Sequence, residues 1–318
     1  MKLGVFYKRA IGFGLKNDPR SGKEISEDLR RVKKAYNKLS KIEKAYFDSE
    51  RLEHPYADTR ILHGNPETEV KTILAGIDME TQELVLADRL RDNGMSLDLV
   101  LSHHPEGRAL SKLDEVMHLH RNMLVKMGIN REIADNVCLE RISEVSRGLS
   151  ATNHTRSVEA ARLLNIPYMC VHTPADNHVA TYLQDMFNRK KPKKIKDALK
   201  ILRAIPEYRI GMERGVGPTL IAGKENDDAG KVFIDMTGGT EGPKKIYARL
   251  HQAGVRTVIG MHLSETHYKD AKAENIKVII AGHITSDMLG LNLLLDNIEK
   301  KERLNIIGCS GFTRIRRA

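Results

Sequence analysis

The sequence has few cysteines and no long run of apolar residues. Its three cysteines, Cys138, Cys170 and Cys309, lie far apart and form no CxxC pair, which excludes a disulfide scaffold and a cysteine-rich zinc site. No apolar run is long enough for a membrane helix, and the N-terminal MKLGVFYKRAIGFGLK lacks the apolar core of a secretion signal. These absences predict a reduced, cytoplasmic protein.

The charge of the chain is uneven. The 318 residues suffice for one large domain or two ordinary ones, and they carry a formal net charge of +10. Basic residues outnumber acidic ones by 14 to 8 over 1–55, by 8 to 1 over 189–203 and by 6 to 1 over 300–318. The rest of the chain is therefore acidic. A solvated surface is the favoured interpretation of the basic stretches, and contact with nucleic acid or an acidic partner is the alternative.

Apolar spacing and composition divide the chain into four segments. Ser21 and Glu24 form a capping box, and apolar residues follow at spacings of three and four as far as Tyr46, which predicts one amphipathic helix over 24–47. The segments are a basic N-terminal helical appendage (1–55), a first α/β lobe (56–189), a basic insert with a glycine-rich connection (190–230) and a second α/β lobe (231–318).

Strands and helices alternate in both lobes. The predicted strands are 70–77, 97–102, 167–172, 231–235, 255–260 and 276–281, with a short strand near the C-terminus. The predicted helices are 81–93, 177–189, 243–253, 265–274 and 286–301, with a mostly helical stretch over 112–165 and a lysine-rich helix over 190–203. This alternation predicts the α/β class, with two similar lobes.

Three of the predicted strands run into potential metal ligands. The motifs are, in chain order, SHHP, HTPAD and GHITSD. Sites in open α/β sheets form beyond the carboxyl ends of strands, so side chains distant in sequence can converge there. Adjacent histidines suit a turn that faces two ions, and a histidine and an aspartate four apart share a helix face. The candidate ligands are His103, His104, Asp176, His283 and Asp287.

Each motif alone has a structural interpretation. His103-His104 fits a surface turn, His283 and Asp287 fit a surface pair, and Asp176 fits the N-cap of the following helix. Their common position beyond strand ends favours a metal site. The set has nitrogen and oxygen donors but no thiolates, which suits zinc, iron or manganese. Two divalent ions outweigh two carboxylates, so such a site would activate water and attract an anionic substrate.

The motifs SHHP, HTxxD and AGHxxxD, in this order, resemble those of the Nif-three-like family, catalogued as GTP cyclohydrolase I type 2 homologues. ERGVGPTL and the stretch from GMHLSETHY to AGH also resemble its second half, so the resemblance covers roughly residues 68–300. It implies two similar lobes, a dinuclear metal site between them and hexameric rings built from dimers. The ligands it implies are His103, His104, Asp176, His283 and Asp287. The family usually has Glu at the last of these positions, so the helix must lie nearer the metal or bind it more weakly.

Further polar residues are candidates for the same site. His172 is predicted to orient Asp176 or to line the pocket, and a histidine satisfied by backbone is the alternative. His262, Glu265 and His267 are candidate acid/base groups, although a surface helix start is the favoured interpretation of that stretch.

Two other features have weaker functional interpretations. The run Met236–Thr240 (MTGGT) follows a predicted strand and would either cradle a phosphate or form a tight turn; it is not a Walker A loop. His118 and His120 face different ways on a predicted helix and are not expected to act as a pair.

Three functional hypotheses follow from these features. The first is a dinuclear metal-dependent hydrolase, with two divalent ions as cofactor, acting on a nucleotide-like or phosphorylated small molecule. The second is a non-enzymatic metal-binding adaptor that contacts nucleic acid through the basic stretches. The third is an assembly protein whose metals hold the lobes together. The expected partners are an anionic small molecule and further copies of the chain, with a hexamer implied by the family resemblance and no membrane.

Overall fold

A computed structural model describes residues 1–244, 246–300 and 302–317. The helices are α1 (Leu3–Lys16), α2 (Gly22–Lys38), α3 (Lys41–Tyr46), α4 (Thr81–Asp92), α5 (Gly107–Ser111), α6 (Leu113–Val116), α7 (His118–Met127), α8 (Arg131–Leu149), α9 (Arg156–Leu163), α10 (Thr173–Lys190), α11 (Ile195–Arg203), α12 (Pro206–Glu213), α13 (Tyr247–Gln252), α14 (Glu265–Ala273) and α15 (His283–Glu299), with a 3-10 turn over Ser49–Leu52. The strands are β1 (Arg60–His63), β2 (Thr72–Gly76), β3 (Leu99–Ser102), β4 (Tyr168–Cys170), β5 (Thr219–Ala222), β6 (Lys231–Asp235), β7 (Val255–Gly260), β8 (Lys277–Ile280) and β9 (Asn305–Gly308).

The strands form two sheets with the same internal order. The first sheet is β1-β4-β3-β2-β9, and the second is β5-β8-β7-β6. In each sheet the first strand of the lobe is antiparallel to the last one, and the other pairings are parallel. The C-terminal strand β9 extends the first sheet only. The repeated order confirms the predicted α/β class with two similar lobes.

The predicted strands agree with the structure to within two residues at each end, and two strands were missed. Both missed strands, β1 and β5, are short antiparallel edge strands with a register shift. The residues of β5 are largely half-exposed, and they lie in the stretch that the sequence indicated as a glycine-rich connection. An edge strand is buried on fewer sides, so its sequence carries a weaker apolar pattern than a central strand.

The first helix belongs to the core. Leu3, Phe6 and Ala10 on α1 are fully buried, and the helix packs against α10 and α15. The N-terminal part of the predicted appendage therefore lies inside the first hydrophobic cluster, which is a correction to the sequence analysis. The division of the whole chain at residues 55, 189 and 230 stays a prediction.

The amphipathic helix expected over 24–47 is two helices. The capping box of Ser21 and Glu24 begins α2 as predicted. A second capping box, of Ser40 and Glu43, begins α3 after the chain turns extended at Leu39. The motif Ser-x-x-Glu occurs at both starts, so the sequence carried the signal for the break.

Three arginines of the C-terminal basic stretch, Arg314, Arg316 and Arg317, form ion pairs. Arg314 contacts Asp296 and Glu299 on α15, and Arg317 makes two hydrogen bonds of 2.7 and 2.8 Å to the buried carboxylate of Glu207. The charges of these arginines are therefore matched by carboxylates and do not form a free cationic surface.

The basic insert is different, because most of its cations face solvent. On α11 the apolar residues other than the half-buried Ile201 are buried. The basic residues of 189–203 are exposed, apart from Lys194, which is half-buried and pairs with Asp228 at 2.7 Å. The exposed cations of the basic stretch 189–203 are Arg189, Lys190, Lys191, Lys193, Lys196, Lys200 and Arg203. No helix among the described residues combines the length and the apolar character that a membrane crossing needs.

Candidate functional site

Three chain segments place histidines and carboxylates at one point between the lobes. His103 and His104 follow β3, and the helices α10 and α15, which pack against each other, both begin there. His172 is the N-cap of α10, so Asp176 lies in the first helical turn instead of at the cap. The N-cap interpretation of Asp176 is therefore wrong, and its carboxylate is free to face the other ligands.

Asp287 lies at the centre of the group. Its Oδ1 is 3.5 Å from Nε2 of His103, and its Oδ2 is 3.3 Å from Nε2 of His104 and 3.5 Å from Nε2 of His283. Asp176 adds a second carboxylate, with Oδ1 at 3.3 Å from the same nitrogen of His103. The structure thus brings all five candidate ligands together. We call His103, His104, Asp176, His283 and Asp287 the ligand cluster.

The donor atoms form overlapping groups of three that could hold metal ions. One group is His103, Asp176 and Asp287, and another is His104, His283 and Asp287; the atoms within each lie within 4.8 Å of one another. Asp287 belongs to both, one oxygen towards each. The shorter aspartate therefore reaches both groups, although the family resemblance implied a glutamate there.

Buried polar atoms without hydrogen-bond partners indicate whether a metal ion would fit this site. Among the described residues, Nε2 of His103, Oδ1 of Asp176 and Oδ2 of Asp287 are buried and make no hydrogen bond. His103 and Asp176 lie 3.3 Å apart, but their geometry is not that of a hydrogen bond. Leaving such atoms unsatisfied is costly, and their convergence fits a cation.

Each of three imidazoles is held by an acceptor on its other nitrogen. Nδ1 of His103 donates to the carbonyl of Val171 at 3.1 Å. Nδ1 of His104 lies 2.6 Å from Asp78, and Nδ1 of His172 lies 2.9 Å from the fully buried Asp58. In each case Nε2 is directed to the cluster. This arrangement fixes the ring and raises its basicity towards a metal.

Sequence reasoning missed Asp58 and Asp78 and gave His172 a smaller role. Nε2 of His172 is 3.6 Å from Oδ2 of Asp176, and it forms a third group of donor atoms with His103 and His104. His172 therefore has the geometry of a further ligand. A single sequence offers little signal for Asp58, because it lies far from the ligands along the chain.

The charged neighbours of the clustered side chains shift their pKa values. Burial would lower the pKa of His103, but Asp287 and Asp176 outweigh burial and raise the pKa to about 10. Burial is likewise outweighed at His104, whose pKa is raised to about 9 by Asp287 and Asp78. Burial would raise the pKa of Asp287, but the neighbouring histidines hold it well below its usual value. Protons and a metal ion therefore compete for the same nitrogens.

A cleft extends from the cluster into the second lobe. The ligand residues His172, Asp176, His283 and Asp287 line it, and its mouth is open to solvent. His262 also lines the cleft: its ring centre is 4.8 Å from that of His283, and its side chain is 45% exposed.

The remaining two acid/base candidates are in different places. His267 lines the cleft but is buried, with Nδ1 3.2 Å from Glu241 and Nε2 donating to the carbonyl of Gly242 at 3.2 Å. Glu265 is not brought to the site: its side chain is 71% exposed and lies 3.3 Å from Lys269 on α14.

Two cleft residues, Asp235 and Glu241, were not among the sequence candidates, and a third, His120, was considered only as a pair with His118. Asp235 ends β6, Glu241 follows in the loop, and His120 reaches the cleft from α7 with Nε2 donating to the carbonyl of Thr240 at 3.0 Å. Burial would raise the pKa of Glu241, but His267 and the Ser264 amide outweigh burial and lower it to about 2. The position of Asp235 at the end of a parallel strand was the available signal.

Solved structures resemble this chain over most of its length. A NIF3 superfamily protein from Sphaerobacter thermophilus has a TM-score of 0.68 and 25% identity, covering 80% of this chain and 92% of that chain. Reduced HcgD from Methanocaldococcus jannaschii has a TM-score of 0.46 and 14% identity, covering 79% and 87% respectively. A Bacillus cereus protein related to NIF3 has a TM-score of 0.42 and 11% identity, covering 79% and 89%. No family model and no curated protein sequence matches the chain.

Proposed function

We propose that this chain, which has the fold of the NIF3 superfamily, is a dinuclear metal-dependent hydrolase of a nucleotide-like or phosphorylated small molecule. The match to the Sphaerobacter thermophilus protein confirms the predicted resemblance to the Nif-three-like family. The fold alone does not identify a reaction, so the proposal is argued from the site.

The observation that carries the proposal is the double use of Asp287. Its two oxygens face two different sets of imidazoles, His103 on one side and His104 with His283 on the other. A carboxylate so placed is suited to bridge two ions. Two divalent ions, of zinc, iron or manganese, would supply Lewis acidity and lower the pKa of a water molecule at the site.

The residues of the chain have separable roles in this proposal. His103, His104, Asp176, His283 and Asp287 hold the ions, with His172 as a sixth candidate ligand. Asp58 and Asp78 hold the imidazoles of His172 and His104 in orientation. His262 is half-exposed beside His283 and is the group placed to transfer a proton to or from a bound substrate. His267, tied to Glu241, shapes the cleft instead.

The test is turnover with matched aspartate variants. Metal-loaded protein is screened against nucleotides and phosphoesters, and activity should be lost with a chelator and restored by the metal. Asp287→Asn keeps the shape of the side chain but removes its charge, so turnover should fall by orders of magnitude while the fold persists. Asp185→Asn, an exposed change on α10, is the control and should leave turnover unchanged.

Two results would count against the enzyme. If Asp287→Asn leaves turnover intact, Asp287 has no catalytic role. If it mainly lowers the melting temperature, with no activity found in the wild type, the metals hold the lobes together, since their ligands come from α10 in one lobe and α15 in the other.

A second candidate function is a metal-binding adaptor that contacts nucleic acid. The exposed cations of the basic insert support it, whereas the paired C-terminal arginines do not. Binding through the insert should weaken steeply with salt, and neutralising Lys190, Lys191, Lys193 and Lys194 should reduce the slope. Absence of binding at low salt would leave these lysines as a solvated surface.

A further inference from the structure

The loop that follows β6 presents backbone donors without partners. No backbone amide of residues 237–242 donates a hydrogen bond to any residue within 1–244, 246–300 and 302–317. Thr237, Gly238 and Gly242 are buried, where unpaired amides are rare. Gly238 and Gly239 have φ angles of 107° and 88°, which favour glycine. The loop thus holds six adjacent donors for a ligand or for water.

Three carbonyl groups of the same loop accept hydrogen bonds from side chains. The carbonyl of Thr240 accepts from His120 Nε2 at 3.0 Å, and that of Glu241 accepts from Arg141 Nε at 3.1 Å. The carbonyl of Gly242 accepts from the ring of His267, as described above. A carbonyl and the following amide point in opposite directions across a planar trans peptide. The amides of Glu241 and Gly242 therefore point away from His120 and Arg141, respectively, and have no hydrogen-bond acceptor among the described residues.

The loop shares the cleft with the candidate metal ligands. Thr237 donates its hydroxyl to Asn177 at 2.7 Å, and Asn177 adjoins Asp176 in the chain. Residues Thr237, Gly239, Thr240, Glu241 and Gly242 line the same cleft as His283 and Asp287. A small molecule bound at the ligand cluster can therefore extend along the cleft to the loop.

The carboxylates at this end lie beside imidazoles. Glu241 accepts a hydrogen bond from the amide of Ser264 and lies 3.2 Å from His267, so the start of α14 compensates its charge. The carboxylate of Asp235 lies 3.9 Å from Nδ1 of His120 and makes no hydrogen bond to a described residue. Asp235 has no hydrogen-bonded partner among the described residues, so of the two carboxylates at this end of the cleft it is the one that would repel a bound anion.

We propose that residues 237–242 form an oxyanion-binding loop that holds a phosphoryl group of the substrate. Runs of backbone amides at glycine-rich turns bind phosphate in this way without requiring a cationic side chain. The inference rests on the proposed function, because it takes the substrate to be a phosphorylated small molecule. The phosphoryl group is assigned to the loop, and the reacting part of the substrate remains at the ligand cluster.

The test is the binding of inorganic phosphate to protein freed of metal by a chelator. Removing the metal separates the loop from the ligand cluster. Phosphate should bind saturably at one site per chain, measured by calorimetry and by ³¹P NMR. Gly242→Ala should weaken it at least tenfold, because the new methyl would lie 3.4 Å from His120 and 3.9 Å from Asp235, inside the cleft at ordinary contact distances. Gly148→Ala, where nothing lies within 4 Å, is the matched control and should bind as the wild type does.

A second variant should change the affinity for phosphate in the opposite direction. Asp235→Asn removes a carboxylate that has no hydrogen-bonded partner among the described residues and leaves every amide in place, so phosphate should bind more tightly. A weaker complex would instead indicate a ligand that donates hydrogen bonds to Asp235, and it would overturn the proposal.

Different results would overturn the loop proposal and the proposed hydrolase function. Absence of phosphate binding in the metal-free protein, or equal affinity in wild type and Gly242→Ala, overturns the loop proposal whatever the metal content. Phosphate binding by a chain that takes up no metal would keep the loop and remove the hydrolase.

Discussion

The two lobes repeat one strand order but contribute different chemistry. Ser102 pairs with Gly76 in the first sheet as Gly260 pairs with Asp235 in the second, and a histidine follows two residues later in both. His104 belongs to the ligand cluster, whereas His262 lies beside it with no ligand group of its own among the described residues. Equivalent backbone positions therefore do not carry equivalent roles.

The helices that follow the last strand of each lobe show the same division. Both begin with His-x-x-x-Asp, but His172 is the N-cap of α10 whereas His283 is the first residue of α15. Asp287 contacts imidazoles from both lobes, whereas Asp176 faces His103 and His172 within its own lobe. A fold repeated twice thus supplies one shared carboxylate, and the asymmetry of the site follows from side chains rather than from strand order.

The largest expected effect separates the two aspartates. Asp287→Asn should remove most of both ions, because one carboxylate serves two groups of donors. Asp176→Asn should remove most of one ion only. Metal content after gel filtration is the measurement, with circular dichroism as the control for folding. Equal losses in the two variants would break the proposed bridging role of Asp287.

The next effect separates the two equivalent histidines. His104→Ala should cost one ion per chain, since it leaves His283 as the one described imidazole that faces Oδ2 of Asp287. His262→Ala should leave the metal content unchanged and lower turnover. Loss of metal from His262→Ala would make the two lobes more alike than the geometry indicates.

A smaller effect is expected from the carboxylates behind the imidazoles. Asp58→Asn and Asp78→Asn keep a polar group beside His172 and His104 but remove the charge that orients and polarises each ring. Metal affinity should fall by about 10–100-fold in each. Competition with a chromogenic chelator measures this, and an unchanged affinity would show that the two carboxylates only satisfy buried histidines.

The smallest effect concerns the ion pair that holds the cleft loop. The pKa of Glu241 is lowered to about 2 from 4.5, so its contribution to stability is present above pH 4.5 and is lost as the pH falls towards 2. Burial would lower the pKa of His267 from its usual 6.5, but Glu241 outweighs burial and raises it, so the contribution of His267 is present below pH 6.5 and is lost as the pH rises through the raised value. The pair therefore stabilises most between those limits.

Glu241→Gln tests this dependence. Thermal melts should show a loss of about 1 kcal/mol near pH 5.5, after allowance for solvent screening, and the difference from the wild type should shrink towards pH 3. A difference that is constant with pH would show that the carboxylate charge is not what holds the loop.

The sequence predicted the parts of the site that strand ends reveal. His103, His104, Asp176, His283 and Asp287 each follow a strand with a clear apolar pattern, so topology alone brought them together. His120 and Asp58 could not be found in this way, because each reaches the site through packing between elements distant in the chain. Glu265 shows the converse: its spacing from His262 fitted a site, but the first turn of α14 directs it to solvent.

The fold was predicted on the same basis. The parallel strands β6 and β7 have the bounds that their apolar runs indicated. The buried position of α1 was missed, since its charged residues concealed the apolar face of Leu3, Phe6 and Ala10. The pairing of the C-terminal arginines was also missed, because a count of charges does not show which carboxylates lie nearby.

The central claim is that one shared carboxylate and two sets of imidazoles hold two metal ions. The most direct test is elemental analysis of the wild-type protein, purified without chelator and quantified against chain concentration. The account predicts about two transition-metal ions per chain, falling to about one in His103→Ala. A chain that carries no metal after gentle purification and takes up none on titration with zinc, iron or manganese would contradict it.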